Sequence, residues 1–223
     1  MILTVANLKG GSGRTTTSLI LALVASEYGT RVRVVDADPQ GRAAKAVKYA
    51  IAEDDPLPFP ADPIPIYESS AEKYAPIDRI LNSSSDYDLT IIDAPSRSPA
   101  TTRILSTVSD FVVVSAFPSF PDLKPTLATV KSVVGPYAVL LNRIGRAITL
   151  EAEFLFHIKE NNAIIFDTAI PDVETFKKAF EGRMGGNFHG YELVFEEIQE
   201  MLRSRIDVAW GTTHKPKSTT VPS

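Results

Sequence analysis

The chain has 223 residues, with 23 Lys+Arg against 27 Asp+Glu, a formal charge of −4 and no cysteine. That length suits one sizeable α/β domain or two small ones, and 44% hydrophobic with 22% charged residues excludes wholesale disorder. The lack of cysteine excludes disulfide scaffolds, thiol nucleophiles, Cys-ligated zinc and cysteine-held iron–sulfur clusters, and the mild acidity argues against a wholly basic nucleic-acid coat.

Short β-branched runs recur along the chain, at Ile2–Ala6, Arg31–Val35, Ile64–Tyr67, Leu89–Ile92, Phe111–Ala116, Tyr137–Leu141 and Ala163–Phe166. Most are apolar throughout, the pattern of strands buried on both faces of a parallel sheet. Helix-period stretches lie between them: Thr15–Ser26, Arg42–Ala50, Ala71–Leu81, Pro99–Ser109, Lys124–Val134 and Leu150–Glu160. Asp172–Glu181 and Gly190–Ile206 follow. This β-then-α order predicts an α/β fold, a doubly wound, mostly parallel sheet of about seven strands with helices on both faces. Ligands of such sheets sit at the carboxyl ends of the strands. Residues 1–210 read as one domain. Glu53–Pro65, with five prolines and four carboxylates, reads as an exposed connector. The Thr/Ser/Pro/Lys-rich tail from Gly211 to Ser223 reads as disordered. No stretch approaches the roughly 20 apolar residues of a membrane helix, and Met1–Asn7 has no basic leader. Cytoplasm is the expected compartment by elimination.

The loop after the first run reads Asn7-Leu-Lys-Gly-Gly-Ser-Gly-Arg-Thr-Thr-Thr17. Glycines there let backbone N–H groups approach phosphate oxygens, and the dipole of the following helix favours the anion. Thr15 stands where a phosphate-loop hydroxyl coordinates Mg²⁺. The pattern G-x-x-x-x-G-K-[ST] fails twice, because Leu8 takes its first glycine position and Arg14 its lysine position. Lys9-Gly10-Gly11-Ser12-Gly13-Arg14-Thr15 instead resembles the deviant Walker A motif K-G-G-x-G-K-[ST] of the ParA/MinD family of P-loop ATPases. The resemblance implies nucleotide phosphates on Gly10, Gly11, Ser12, Gly13, Arg14, Thr15 and Thr16. It also implies that the signature lysine, Lys9, reaches a partner's nucleotide across a dimer.

Later loops extend the resemblance. Asp36-Ala-Asp-Pro-Gln-Gly41 looks like the family's D-x-D-P-Q-G switch I. It implies that Asp38 orients the attacking water and Asp36 supports the Mg²⁺ shell. Two carboxylates at i and i+2 leaving a buried strand suit a hard cation and water. A strand ending in Asp93-Ala-Pro-Ser96 looks like Walker B and switch II, with Asp93 on Mg²⁺. Asn142-Arg143 looks like the family's N-R segment, so Asn142 is the base-reading candidate, although a turn-forming Asn would read alike. Thr168–Asp172 resembles the loop beside the base and makes Pro171 a contact candidate, with a plain turn proline as the competing reading.

The resemblance covers roughly residues 1 to 205. With no helix-turn-helix segment ahead of the first strand, it implies a short ParA-type partition ATPase. Such a protein uses ATP/ADP and Mg²⁺ and forms a homodimer when ATP-bound. The dimer binds DNA nonspecifically and is nucleoid-associated, and a ParB-type centromere-binding protein stimulates hydrolysis. Candidate cationic segments are Lys177-Lys178 with Arg183, Arg203 with Arg205, and Lys215 with Lys217. Tyr191, Val194, Phe195, Ile198 and Leu202 form an apolar stripe, but Glu192, Glu196, Glu197 and Glu200 surround it. An acidic face is repelled by anionic lipid, so no membrane partner is expected. Arg14 opens a second reading, a nucleotide-binding adaptor with impaired hydrolysis, because arginine's planar fork is larger and less centred than a lysine ammonium. A third reading, a metabolic ligase of the dethiobiotin-synthetase type, shares the fold, and Lys9 speaks against it.

The charge is also uneven. Residues 1–50 carry seven Lys/Arg against three Asp/Glu, and residues 51–100 carry three against ten. The glycine loop therefore sits in a basic stretch, which leaves room for a DNA-binding dimer.

Overall fold

The computed structural model describes residues 1–66, 75–145, 148–173 and 187–211, with the backbone alone at 148–150 and 205–211. Its strands are β1 (Ile2–Ala6), β2 (Val32–Asp36), β3 (Ala61–Pro63), β4 (Leu89–Asp93), β5 (Phe111–Ala116), β6 (Tyr137–Ile144) and β7 (Ile170–Pro171). Its helices are α1 (Arg14–Glu27), α2 (Arg42–Ala52), α3 (Ala75–Ser84), α4 (Pro99–Val108), α5 (Phe120–Ser132), α6 (Ile148–Glu160) and α7 (Tyr191–Gly211). The strands form one seven-stranded sheet in the order β3-β2-β4-β1-β5-β6-β7, with every pairing parallel.

The apolar runs become strands because both sheet faces are covered. Along β1, Leu3 and Val5 join a core built with α1, α2 and α7. Ala6 joins the opposite core, built with α3, α4, α5 and α6. Helix starts follow local chemistry. The Ser98 hydroxyl accepts from the Thr101 amide and Pro99 takes the first helical position, so α4 begins where the chain gives up no hydrogen bond. The apolar stripe of α7 packs inward, with Tyr191, Val194, Phe195 and Ile198 buried. Among the described residues, no helix is long and apolar enough to cross a membrane.

Four expectations need correction. The proline-rich segment is not simply an exposed connector. Ala61–Pro63 pairs with β2 as an edge strand, and Phe59, Ile64 and Ile66 are buried. An edge position tolerates proline because one side of the strand needs no donor. The strand expected at Ile64–Tyr67 accordingly falls earlier, although the Ile64 and Ile66 amides still donate to Asp36 and Ala37. The strand expected at Ala163–Phe166 shrinks to a single bridge, Val139 with Ile165. Beyond it, the Glu197 carboxylate of α7 captures the Asp167 and Thr168 amides at 2.8 and 2.9 Å. Ladder pairing resumes only at β7. Helix α5 begins at Phe120 rather than Lys124, because Pro121 falls in the first turn, where its missing N–H costs nothing. Residues 71–74 and 174–181 of two expected helices lie outside the described residues, as do Lys177, Lys178, Arg183, Lys215, Lys217 and residues 212–223 of the tail.

Candidate functional site

The glycine loop joins the carboxyl end of the central strand β1 to α1. Gly11 and Gly13 take φ of +79° and +92°, a left-handed backbone that glycine adopts freely. Gly13 precedes α1 and provides no side-chain cap, so the first amides of α1 stay available to a ligand. The loop is held from beneath by Asn7, which is fully buried. Its Nδ2 donates to the Ser115 carbonyl at 2.8 Å and to Thr126 Oγ1 at 3.1 Å, and its Oδ1 accepts from the Lys9 amide at 2.9 Å. The Leu8 amide donates to Thr129 Oγ1 at 2.9 Å. Helix α5 therefore anchors the loop.

Thr15 and Asp93 meet across 78 residues, because β1 and β4 are neighbours and end together. Thr15 Oγ1 donates to Asp93 Oδ2 at 2.7 Å. Asp93 Oδ1 is buried and has no hydrogen-bond partner among the described residues. Burial pushes the Asp93 carboxyl up to about 7, against the opposing pull of the Thr15 bond and the Arg14 charge. An unsatisfied buried carboxylate oxygen beside a threonine hydroxyl suits a divalent cation. Among the described residues no three acidic, His or Cys side chains converge as a metal cage. Mg²⁺ needs no such cage, since it keeps waters and takes substrate phosphates as ligands. The donor set thus fits Mg²⁺ delivered with a nucleotide.

The Arg14 guanidinium turns onto its own loop. Its Nη1 donates to the Asn7 and Lys9 carbonyls at 2.5 and 2.7 Å, and Nη2 lies 3.8 Å from Asp38 Oδ2. Burial lowers its pKa, and Asp93 and Asp38 oppose that shift. Asp38 is buried and Oδ1 accepts from the Gln40 amide at 2.9 Å. Asp36 gives its two oxygens to the Asp38 and Ala44 amides, at 3.2 and 2.9 Å, and is closed from solvent. Burial raises its pKa, and the amides oppose the shift. In this arrangement Asp36 braces the Asp38 turn.

A cleft of about 850 Å³ opens over Gly11, Ser12, Gly13, Arg14, Thr15 and Thr16. Its far walls are Arg42, Lys45 and Tyr49 of α2, and Arg143. Sequence reading missed these α2 residues as cleft walls. Their spacing at 42, 45 and 49 puts them on one helix face and was the available signal. A second hollow of about 700 Å³ lies on the other side of the loop, between Gly10, Asp38 and the Pro95–Ser98 segment. The Arg97 amide ties that segment to the Leu8 carbonyl at 3.2 Å. Lys9 is half-buried on the loop.

Asn142 and Pro171 line a narrow crevice of about 40 Å³ that shares Gly13 and Thr16 with the main cleft. Arg143 lines both, stacked over Phe117 at 4.4 Å and 3.9 Å from Asp172. All the expected loop residues, with Asp36, Asp38, Asp93, Asn142 and Pro171, therefore gather at the carboxyl ends of the strands. Among the expected cationic segments, Arg203 is exposed on α7, and of Arg205 the backbone alone is described.

Comparison with known proteins gives a consistent pattern. Residues 3–184 match the CobQ/CobB/MinD/ParA nucleotide-binding domain family. The chain is 29% identical to the chromosome-partitioning ATPase Soj of Thermus thermophilus, across 89% of this chain and 95% of that protein. It is 32% identical to the maintenance of carboxysome distribution protein A of Halothiobacillus neapolitanus, but across only 59% of this chain and 57% of that protein. The structure of a plasmid partition protein from Borrelia burgdorferi B31 bound to AMPPNP superposes with a TM-score of 0.67 at 19% identity, covering 92% and 98% of the two chains. At that identity the likeness speaks to the fold.

Proposed function

We propose that this chain, which belongs to the CobQ/CobB/MinD/ParA family of nucleotide-binding domains, is a ParA-like partition ATPase that binds ATP with Mg²⁺. ATP binding drives a sandwich dimer with nonspecific affinity for DNA, and a ParB-type partner stimulates hydrolysis and resets the cycle. The observation that carries this reading is the Thr15–Asp93 pair, with its unsatisfied oxygen, beneath a glycine loop that opens onto uncapped helix amides. Relatives' names divide between chromosome, plasmid and carboxysome distribution, so the reading specifies the ATPase and not its cargo.

In this reading the loop amides from Gly10 to Thr16 hold the phosphate oxygens. Thr15 Oγ1 and Asp93 hold the cation. Asp38 is the carboxylate placed to accept a proton from, and so orient, the attacking water. Bound Mg²⁺-nucleotide supplies the electrophilic phosphoryl group and the divalent charge. Lys9 belongs to the partner's site and completes it across the dimer. Asn142 faces the base, with Pro171 opposite. The crevice beside Asn142 and Pro171 holds about 40 Å³ and shares Gly13, Thr16 and Arg143 with the larger cleft, so the base would lie across the two.

One observation favours a second reading. Arg14 spends Nη1 on the loop's own carbonyls, which leaves less of its charge for the phosphates. That is the adaptor with impaired turnover. One ATPase titration separates the two, run with and without DNA and partner, on wild type and Arg14→Lys. DNA- and partner-stimulated turnover in wild type supports the partition ATPase. Flat wild-type turnover, recovered in Arg14→Lys by about tenfold (about 1.4 kcal/mol of barrier), supports the adaptor. Light scattering tests the dimer. Lys9→Ala should stay monomeric with ATP while still binding it, and equal dimerisation of both proteins refutes the sandwich.

A further inference from the structure

The Asn142 side chain sits in a chain of hydrogen bonds whose direction can be read without ambiguity. Ser115 Oγ donates to the Ser12 carbonyl at 2.7 Å. A carbonyl can only accept, so the one Ser115 hydroxyl hydrogen is committed. Ser115 Oγ can then only accept from Asn142, and it does so from Nδ2 at 2.8 Å. This fixes which end of the amide is nitrogen, the assignment that is otherwise ambiguous for Asn. Oδ1 must then face Tyr191, whose hydroxyl donates to it at 3.2 Å. The Tyr191 oxygen lies 3.1 Å from Thr17 Oγ1, which acts there as the donor. Burial raises the Tyr191 pKa, so its hydroxyl keeps its proton throughout the neutral range.

The consequence lies in what Asn142 has left. A side-chain amide has two donors and two acceptor lone pairs. The chain takes one of each, and leaves one Nδ2 hydrogen and one Oδ1 lone pair. The outer edge of adenine presents one donor, N6, beside one acceptor, N7, and guanine presents two acceptors, O6 and N7. A fixed amide with one donor and one acceptor matches the first and meets the second with oxygen against oxygen or nitrogen. An unfixed amide could turn aside from that clash. Here it cannot do so without breaking the bond to Ser115 or to Tyr191.

We propose that Ser115 and Tyr191 are positioning residues that hold the Asn142 amide in a single orientation and so make this chain select adenine over guanine nucleotides. The inference rests on the reading that Asn142 faces the base. The lock is built from residues far apart in sequence. Ser115 lies in β5, Asn142 in β6, and Tyr191 at the first turn of α7. It also ties selectivity to the phosphate loop, because its last acceptor is the Ser12 carbonyl within that loop. Gly13 packs beside it, and a Cβ there would lie 3.4 Å from both Asn142 Nδ2 and Ser115 Oγ.

The test is the ratio of ATP to GTP affinity, both with Mg²⁺, measured by competition against a fluorescent adenine nucleotide. Tyr191→Phe and Ser115→Ala each remove one of the two bonds that hold the Asn142 amide. Each should lower the ratio by roughly five- to tenfold, the worth of one neutral hydrogen bond. Thr17→Val removes the Thr17 donor to Tyr191 but leaves the Tyr191–Asn142 bond in place, and should keep the wild-type ratio. If Tyr191→Phe folds poorly, Ser115→Ala carries the test alone. ATP binding with an unchanged ratio in both lock variants overturns the inference and leaves the proposed function standing. An equal fall in Thr17→Val also overturns it, because the effect would then be one of packing. A wild type that binds neither nucleotide overturns the proposed function and this inference with it.

Discussion

Asp93→Asn should reverse the sign of what an active-site carboxylate is usually expected to do for stability. Asp93 ends β4, almost fully buried, with one oxygen on Thr15 and the other unsatisfied. Burial raises its pKa from 3.8 to about 7. The folded state therefore binds a proton that the unfolded chain has already lost. That stabilisation is complete below about pH 4 and is lost as pH rises through about 7. The full difference corresponds to about 4 kcal/mol, of which about 3 kcal/mol falls between pH 5 and pH 8. Asparagine keeps the shape of the protonated acid, can still accept from Thr15, and does not titrate. Urea unfolding without Mg²⁺ or nucleotide, repeated across this range, should show wild type losing about 3 kcal/mol more than the variant. Asp36 is raised by the same cause, so the variant keeps a slope of the same sign. The difference between the two proteins reports Asp93 together with its coupling to Asp36 and Asp38. Parallel curves would refute the reasoning, and so would a variant less stable than wild type at pH 8.

Two further substitutions test the framework around the site. Arg33 is buried within β2 and donates to Thr90 Oγ1, Ser83 Oγ, Ser84 Oγ and the Ile80 carbonyl, fastening α3 to the sheet. Arg33→Ala should cost about 3 kcal/mol or more in denaturant unfolding, because it leaves a cavity and strips the buried Ile80 carbonyl and Thr90 hydroxyl of a donor. Its ion partner Asp62 is 45% exposed at the side chain, and Asp62→Asn should cost under about 1 kcal/mol because solvent screens that pair. Gly13→Ala should cost about 2 kcal/mol, since φ is +92° and the new Cβ would crowd Asn142, Phe117 and Ser115 at 3.4 Å. It should also abolish measurable nucleotide affinity. Gly10→Ala is the control, because no atom of the described residues lies within 4 Å of a Cβ there, and its unfolding midpoint should match wild type.

The legible parts of the molecule are those whose signal is local. Strands β1 and β5 run over the expected residues because both of their faces are buried and the apolar run has no gap. The phosphate cradle was readable because its glycines mark the φ > 0 positions the loop needs. Misreadings came where a distant group decides the outcome. Glu197 ends the strand begun at Ile165, from about 30 residues away along the chain. The support for the loop, Asn7 with Thr126 and Thr129, spans about 120 residues and has no local signature. Ser115 and Tyr191 are likewise silent in sequence, since their importance arises only when β5, β6 and α7 bring them to one amide. Arg14 was recognised as a departure from lysine, but spacing could not show that its guanidinium turns onto the carbonyls of its own loop.

That inward turn sets the charge balance of the centre. Asp36, Asp38 and Asp93 are 0%, 7% and 1% exposed, and Arg14, the buried cation among them, is 4% exposed. Fully ionised, the cluster would carry two uncompensated negative charges in a poorly solvated site, which is costly. Protonation is the response available to the protein alone, and the raised pKa values of Asp93 and Asp36 express it. In the proposed function a divalent cation held by Asp93 would be the other response, and it would neutralise the same two charges while displacing the proton from Asp93. Cation and proton therefore compete for one carboxylate, so Mg²⁺-dependent binding should weaken as pH falls below about 7. The phosphates that accompany the cation add negative charge of their own. Arg42, Lys45 and Arg143 along the open cleft are the side chains placed to balance it. The basic excess of the first 50 residues is thus partly accounted for at the nucleotide site itself. Any DNA affinity has to come from what remains, doubled by a second copy.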